Sequence, residues 1–293
     1  MRRLAFGALL VLSLGAQAQF GGIDIGKALD IGRKALDQQQ QKKEFSQEDE
    51  IQLGDALTAS FLGASPLHPD AALQRYVNRV GKWVALHSDR PDLPWTFSVI
   101  DTETVNAFAM PGGSIIVSSG LIKRLSSESE LAGVLAHEIA HVVKKHQLKA
   151  IEAGMQADFW KSLGTSVAAD QIRIGGGTVG RAAGEFAKPY ILDAAGNVIK
   201  DGFFLRPLDR RLETDADELA IVLATRSGYD PYGLVGALQM LAQYKGDADA
   251  ASIFSTHPPP SERLADLEKF VPSMEPYARH PLLLETRFRQ NVK

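Results

Sequence analysis

The chain of 293 residues contains no cysteine. Thiol nucleophiles, thiolate metal sites, cysteine-linked lipids and disulfides are thereby excluded, so any catalysis must run through histidine, carboxylates, hydroxyls, lysine or a metal they hold. An excess of one charge is also lacking. Lys and Arg number 32 against 35 Asp and Glu, and the net charge of −3 gives no footing for nucleic acid. No stretch reaches 18 continuous apolar residues, so no integral membrane span is expected after processing. The run Gly175-Gly176-Gly177 lacks the spacing of a phosphate-binding loop. What remains, 45% hydrophobic and 23% charged, is the composition of a globular protein with one large domain or two small ones.

The chain opens with Arg2 and Arg3, an apolar run from Leu4 to Gly15, and Ala16-Gln17-Ala18. A basic start, a run of about a dozen apolar residues and an A-x-A site predict a cleaved secretory signal over 1–18, since a span needs about 20. The mature protein is expected in a bacterial periplasm. Residues 19–45 form an N-terminal lead whose Gly26 to Lys43 segment reads as a helix with a modest apolar face, a candidate contact for a partner.

A capping box at Ser46 and Asp49 predicts a helix ending near Gly63, and Asp70 caps a second that carries Leu73, Tyr76, Val77, Val80 and Val84. Alternation over Trp95 to Ile100 predicts a strand, and Pro111-Gly112-Gly113 a turn before a second strand over Ser114 to Val117. Ser127-Glu128-Ser129-Glu130 reads as another capping box, opening a helix through roughly His146. The segment over 150–210 is glycine-rich and is expected to be a mobile insert or lid. Helices resume near Leu212, after Pro231, and after Pro258-Pro259-Pro260 with Ser261 leading. Residues 271–293 read as a tail.

The helix after Ser127 contains His137-Glu138-Ile139-Ala140-His141. Histidines four apart project from one helix face, so both rings can reach one zinc ion with Glu138 at its edge. The other reading is a helix with two solvated histidines, but Leu131, Val134, Leu135, Val142 and Val143 make this helix apolar, and buried histidines need partners. Catalytic zinc takes three protein ligands. Glu213 is the candidate third, with Asp217 one turn later to accept a ring N–H from a zinc histidine. An acidic first turn that merely complements the helix dipole is the alternative, but it leaves Asp217 unexplained. His68, His87, His146 and His280 have no motif partner and read as structural or exposed.

With these motifs the chain resembles the zinc metallopeptidases of the CAAX prenyl protease and heat-shock HtpX type, in particular their soluble periplasmic branch. The likeness covers roughly Ser46 to Phe270 and rests on Ser46 to Gly54, Asn106 to Gly113, His137 to His141, Glu213 to Asp217, and His257-Pro258 through Arg263. It implies an α+β fold over 46–270: a mainly helical, gluzincin-like core with a small β-sheet beside the active-site helix, holding one Zn2+ per chain on His137, His141 and Glu213. It implies Glu138 as general base. It also implies His257 over the metal, as a donor to the oxyanion or as a fourth ligand that silences the site, with a plain loop histidine as the other reading. Arg263 is expected to pair with Asp217 or another carboxylate near the site, or to bind a substrate carbonyl, with an ordinary surface arginine as the other reading. The strand at Asn106, Ala107 and Phe108 is expected to pair with an extended substrate, against the simpler reading of a core strand. No counterpart of the helical repeat domain of some periplasmic relatives is expected. The resulting expectation is an envelope zinc endopeptidase acting on misfolded or stalled exported proteins. The alternative is a chaperone or assembly factor with a capped zinc, against which the intact Glu138 argues.

Overall fold

Local chemistry sets the first helices. Ser46 Oγ accepts the Asp49 N–H at 3.1 Å while Asp49 Oδ2 accepts the Ser46 N–H at 3.1 Å, and this capping box opens α1 (Gln47–Ala64). Asp70 Oδ1 accepts the N–H groups of Ala72 and Leu73 at 2.7 and 3.2 Å and opens α2 (Ala71–Ala85). The structure is a computed structural model that describes residues 45–152, 208–243, 257–274, 276 and 282–292. The expected signal peptide, N-terminal lead helix and most of the 150–210 insert, including its glycine run, lie outside the described residues.

Three strands follow: β1 (Thr96–Ile100), β2 (Ala107–Ala109) and β3 (Ser114–Ser118). They form a sheet in the order β1-β3-β2. β1 runs parallel to β3 with Phe97 opposite Ile115, and β2 runs antiparallel with Phe108 opposite Ile116. β2 is therefore an edge strand. The reversal into β3 is a 3-10 turn at Pro111–Gly113, where Gly112 and Gly113 take φ of 79° and 111°, a region open to glycine without strain. Glu50 of α1, buried, accepts the Gly112 N–H at 3.2 Å and both Arg90 Nη groups at 2.9 Å, and Arg90 also donates to the Val142 carbonyl at 3.2 Å. One carboxylate thus ties α1 to the turn and to the end of the central helix.

A short α3 (Ser119–Arg124) leads to α4 (Glu128–Val143), then α5 (Arg210–Arg226), α6 (Gly233–Gln243), α7 (Pro260–Phe270) and α8 (Glu285–Val292). α4 is the centre. Leu131, Leu135 and Ile139 are fully buried, and the helix packs on α5, α6, α2 and the sheet. Its approach to α6 is unusually close: a Cβ on Gly133 would meet Leu234 N at 2.5 Å, and one on Gly233 would meet the Ser129 carbonyl oxygen at 2.2 Å. The described residues thus show the expected α+β arrangement, helices with a small sheet beside the histidine-bearing helix.

Four details differ from the sequence expectation. Ser127 caps α4 through the Glu130 N–H, and the Glu130 carboxylate reaches one residue further back than the expected box, accepting the Ser126 N–H at 2.6 Å. α4 stops at Val143, where Lys145 takes φ of 58°, and a separate helical segment begins at 146. Pro260 occupies the first turn of α7 and Pro259 the cap, so Ser261 is inside the helix; the fixed φ of proline suits that place. The expected tail includes α8, held by the buried Phe288 and by Arg287, which pairs with the buried Glu128.

Candidate metal centre

α4 carries His137, Glu138 and His141 on adjoining positions of its inner face, all buried. Asp209 caps α5 by accepting the Arg211 N–H at 2.9 Å, which places Glu213 in the first turn and Asp217 one turn later, against α4. The prolines at 258–260 stiffen the chain ahead of α7 and bring in His257, also buried. One ligand atom from each of His137, His141, Glu213 and His257 lies within 4.8 Å of all the others, so the group could hold a metal ion.

The atoms show what they are arranged to receive. The Nε2 atoms of His137 and His141 face each other at 3.0 Å. Glu213 Oε2 lies 2.8 Å from His257 Nδ1, while its Oε1 is buried and makes no hydrogen bond, a costly state without a partner. His137 Nδ1 lies 2.8 Å from Asp217 Oδ1, which assigns the proton to Nδ1 and leaves Nε2 as a lone pair toward Glu213. Two imidazole nitrogens and one carboxylate oxygen, all inward and desolvated, fit a divalent cation of the zinc type.

The charges agree. Burial would raise the Glu213 carboxyl, but the neighbouring His257, His137 and His141 overcome this and hold it well below the usual carboxylate range. Burial, reinforced by His137, lowers the His141 imidazole, keeping its ring neutral. For His137, burial and Arg263 act downward and Asp217 upward, leaving it at about 9; a cation at Nε2 replaces that second proton. Burial raises the Glu138 carboxyl, opposed by His137 and His257.

Asp217 is itself gripped. Arg263 Nε and Nη2 donate to its two oxygens at 2.9 and 2.5 Å, and Arg263 is buried, so it is no surface arginine. Burial opposes ionisation of Asp217, yet Arg263 and His137 hold it well below the carboxylate range.

Of the strand residues, Ala107 lines the same cleft as His137, Glu138, His257 and Arg263. Asn106 is buried and bonded into the sheet, its N–H donating to Ser118 Oγ at 3.0 Å and its carbonyl accepting the Ser118 N–H at 3.0 Å. Phe108 packs on Phe61 of α1 with ring centroids 4.8 Å apart. His146, read from sequence as having no partner, is buried with its Nδ1 at 2.9 Å from His141 Nδ1. It stands five residues after His141, outside helical register, and no glycine or proline nearby announces the turn that brings it back.

The family model of peptidase family M48 matches residues 71–271. The beta-barrel assembly-enhancing protease of Escherichia coli K12 is 30% identical over 234 residues, covering 78% of this chain and 45% of that protein. The mitochondrial metalloendopeptidase OMA1 of Schizosaccharomyces pombe is 29% identical over 204 residues, 68% of this chain and 53% of that one. The chain spans about half the length of these curated relatives. Among solved structures, S. mikatae Ste24p aligns with a TM-score of 0.42 and 21% identity, over 74% of this chain and 55% of that one.

Proposed function

As the chain belongs to peptidase family M48, we propose that it is a zinc endopeptidase of the cell envelope that cleaves misfolded or stalled exported proteins. The observation that carries the reading is the placement of Glu138: a buried carboxylate between the two histidines of the cluster, in a cleft that also holds His257 and the edge-strand residue Ala107. A metal held only for structure has no use for a base at that position.

His137, His141 and Glu213 would hold the ion. When bound, zinc supplies Lewis acidity, making a water acidic near neutral pH and polarising the scissile carbonyl. Glu138 takes the proton of the attacking water and returns it to the leaving amine. Asp217, fixed by Arg263, holds the Nδ1 proton of His137 and so keeps Nε2 inward. β2 offers backbone groups to an extended substrate, which supports broad choice of sequence. The basic start, apolar run and A-x-A site at residues 1–18 support an envelope location, and no helix among the described residues is long and apolar enough to cross a membrane.

The test is degradation of an unfolded protein with and without a chelator, paired with metal analysis. Glu138→Gln should abolish cleavage while zinc stays near one per chain. Cleavage within a few-fold of the parent would sink the assignment.

A second reading is favoured by one contact, His257 Nδ1 at 2.8 Å from Glu213 Oε2. Four ligands close a site, and a capped site suits a chaperone or assembly factor. His257→Ala separates the two: turnover rises if the ring caps the metal and falls if it donates to the oxyanion.

A further inference from the structure

His141 and His146 present their Nδ1 atoms to each other at 2.9 Å, and both rings are buried. Two such nitrogens attract only if one hydrogen lies between them. If His141 Nε2 holds the metal with its lone pair, the neutral His141 ring carries its proton on Nδ1. His146 Nδ1 must then be the bare acceptor, and the His146 proton sits on Nε2. That atom lies 3.5 Å from Asp215 Oδ2, and the other oxygen of Asp215 accepts from Lys144 Nζ at 2.9 Å. The direction of every hydrogen in this chain follows from the metal end.

The backbone between the rings makes the contact. In a continued helix, position 146 would lie about 140° around the axis from His141, on another face. Lys145 instead takes φ of 58°, a left-handed conformation that is strained for a non-glycine residue. That turn swings His146 back over His141. The same turn leaves Lys145 Nζ 3.7 Å from Glu50 Oε2.

We propose that His146 is a positioning residue for the metal site, an imidazole acceptor that fixes the tautomer and ring orientation of His141 as Asp217 does for His137. The inference rests on the metal reading above. The two histidines are supported by opposite chemistries. His137 leans on an ionised carboxylate paired with Arg263, and His141 on a neutral ring, which donates less charge and leaves His141 the weaker ligand of the two.

The experiment is zinc affinity of the purified full chain, by competition with a chromophoric chelator, for the parent, His146→Ala, His146→Gln and Glu213→Ala. His146→Ala should weaken zinc binding by roughly ten- to a hundred-fold, and His146→Gln, whose amide oxygen can accept the Nδ1–H, should recover most of the loss. Affinity for His146→Ala within two-fold of the parent, with Glu213→Ala clearly impaired, overturns the role of His146 and leaves the metal reading intact. A parent that binds no zinc overturns both. Nitrogen-15 NMR of the zinc-loaded parent gives a test independent of any variant's folding. His146 must appear as the Nε2–H tautomer, and an Nδ1–H tautomer or an imidazolium overturns the proposal.

Discussion

Glu213 divides its two oxygens: Oε2 meets His257 Nδ1 at 2.8 Å, and Oε1 is buried 3.5 Å from His141 Nε2 without a hydrogen bond. A buried oxygen so placed gains its missing partner when a cation binds. Glu213→Ala should therefore lose zinc from near one per chain to well below, and zinc should no longer raise the melting temperature of the apoprotein. Full occupancy in the variant, by atomic absorption after dialysis, would contradict this.

Arg263 and Asp217 form a buried pair in which each oxygen of the carboxylate accepts from the guanidinium. Removing one member strands the other charge away from water. Arg263→Ala should cost about 3–5 kcal/mol in urea unfolding of the metal-free chain. Adding Asp217→Asn to it should return part of that loss, since the two sites share one interaction. Strict additivity would show that the pair is not coupled.

Glu128, fully buried, accepts from Tyr76 and Tyr229 hydroxyls at 2.7 Å each and from Arg287. Burial alone would raise its carboxyl, but Arg287 and the two phenols outweigh it and hold it below the ordinary 4.5. A group depressed on folding contributes stability that is complete above its unfolded pKa and fades as pH falls through the folded one. The stability gap between parent and Glu128→Gln should thus be widest near neutrality and shrink below about pH 4.5. Denaturant titrations at several acid pH values check this, and a gap that widens toward acid would refute it.

Gly233 lies against the Ser129 carbonyl, where a Cβ would fall 2.2 Å from the oxygen. Gly233→Ala must push α6 away from α4, at about 1–3 kcal/mol. Differential scanning calorimetry of the variant should show a lower melting temperature, and an unchanged one would mean the helices yield at no cost.

What was legible in the sequence was local or periodic. Ser46 and Asp70 cap helices through atoms two or three residues away, so their pattern is complete within a few letters. His137 and His141 declare themselves by helical spacing, and Glu213 with Asp217 by the same spacing on another helix. The glycines at 112 and 113 mark a turn that their φ angles require. Other features depended on partners far along the chain. Glu128 reads as a helix-start acid, yet its partners are Tyr76, Tyr229 and Arg287, more than 50 residues away in each direction. α8 has one fully buried apolar residue, Phe288, too little for a periodic signal, and docks as much by Arg287 as by burial. Glu50 looks like one more surface acid beside Glu48 and Asp49 until Arg90 and Gly112 meet it. His146 was hidden by a left-handed turn at Lys145, a conformation that a lysine does not advertise as a glycine would.

The four groups of the metal cluster come from three stretches of chain, with His137 and His257 separated by 120 residues. The last of them arrives just ahead of α7, together with the arginine that neutralises Asp217. A chain read from its N-terminus therefore carries its histidine pair long before it carries the means to organise them. The complete cluster, on this layout, is assembled late. A copy truncated ahead of His257 has the histidine pair of α4 but not the four groups that lie together in the full chain.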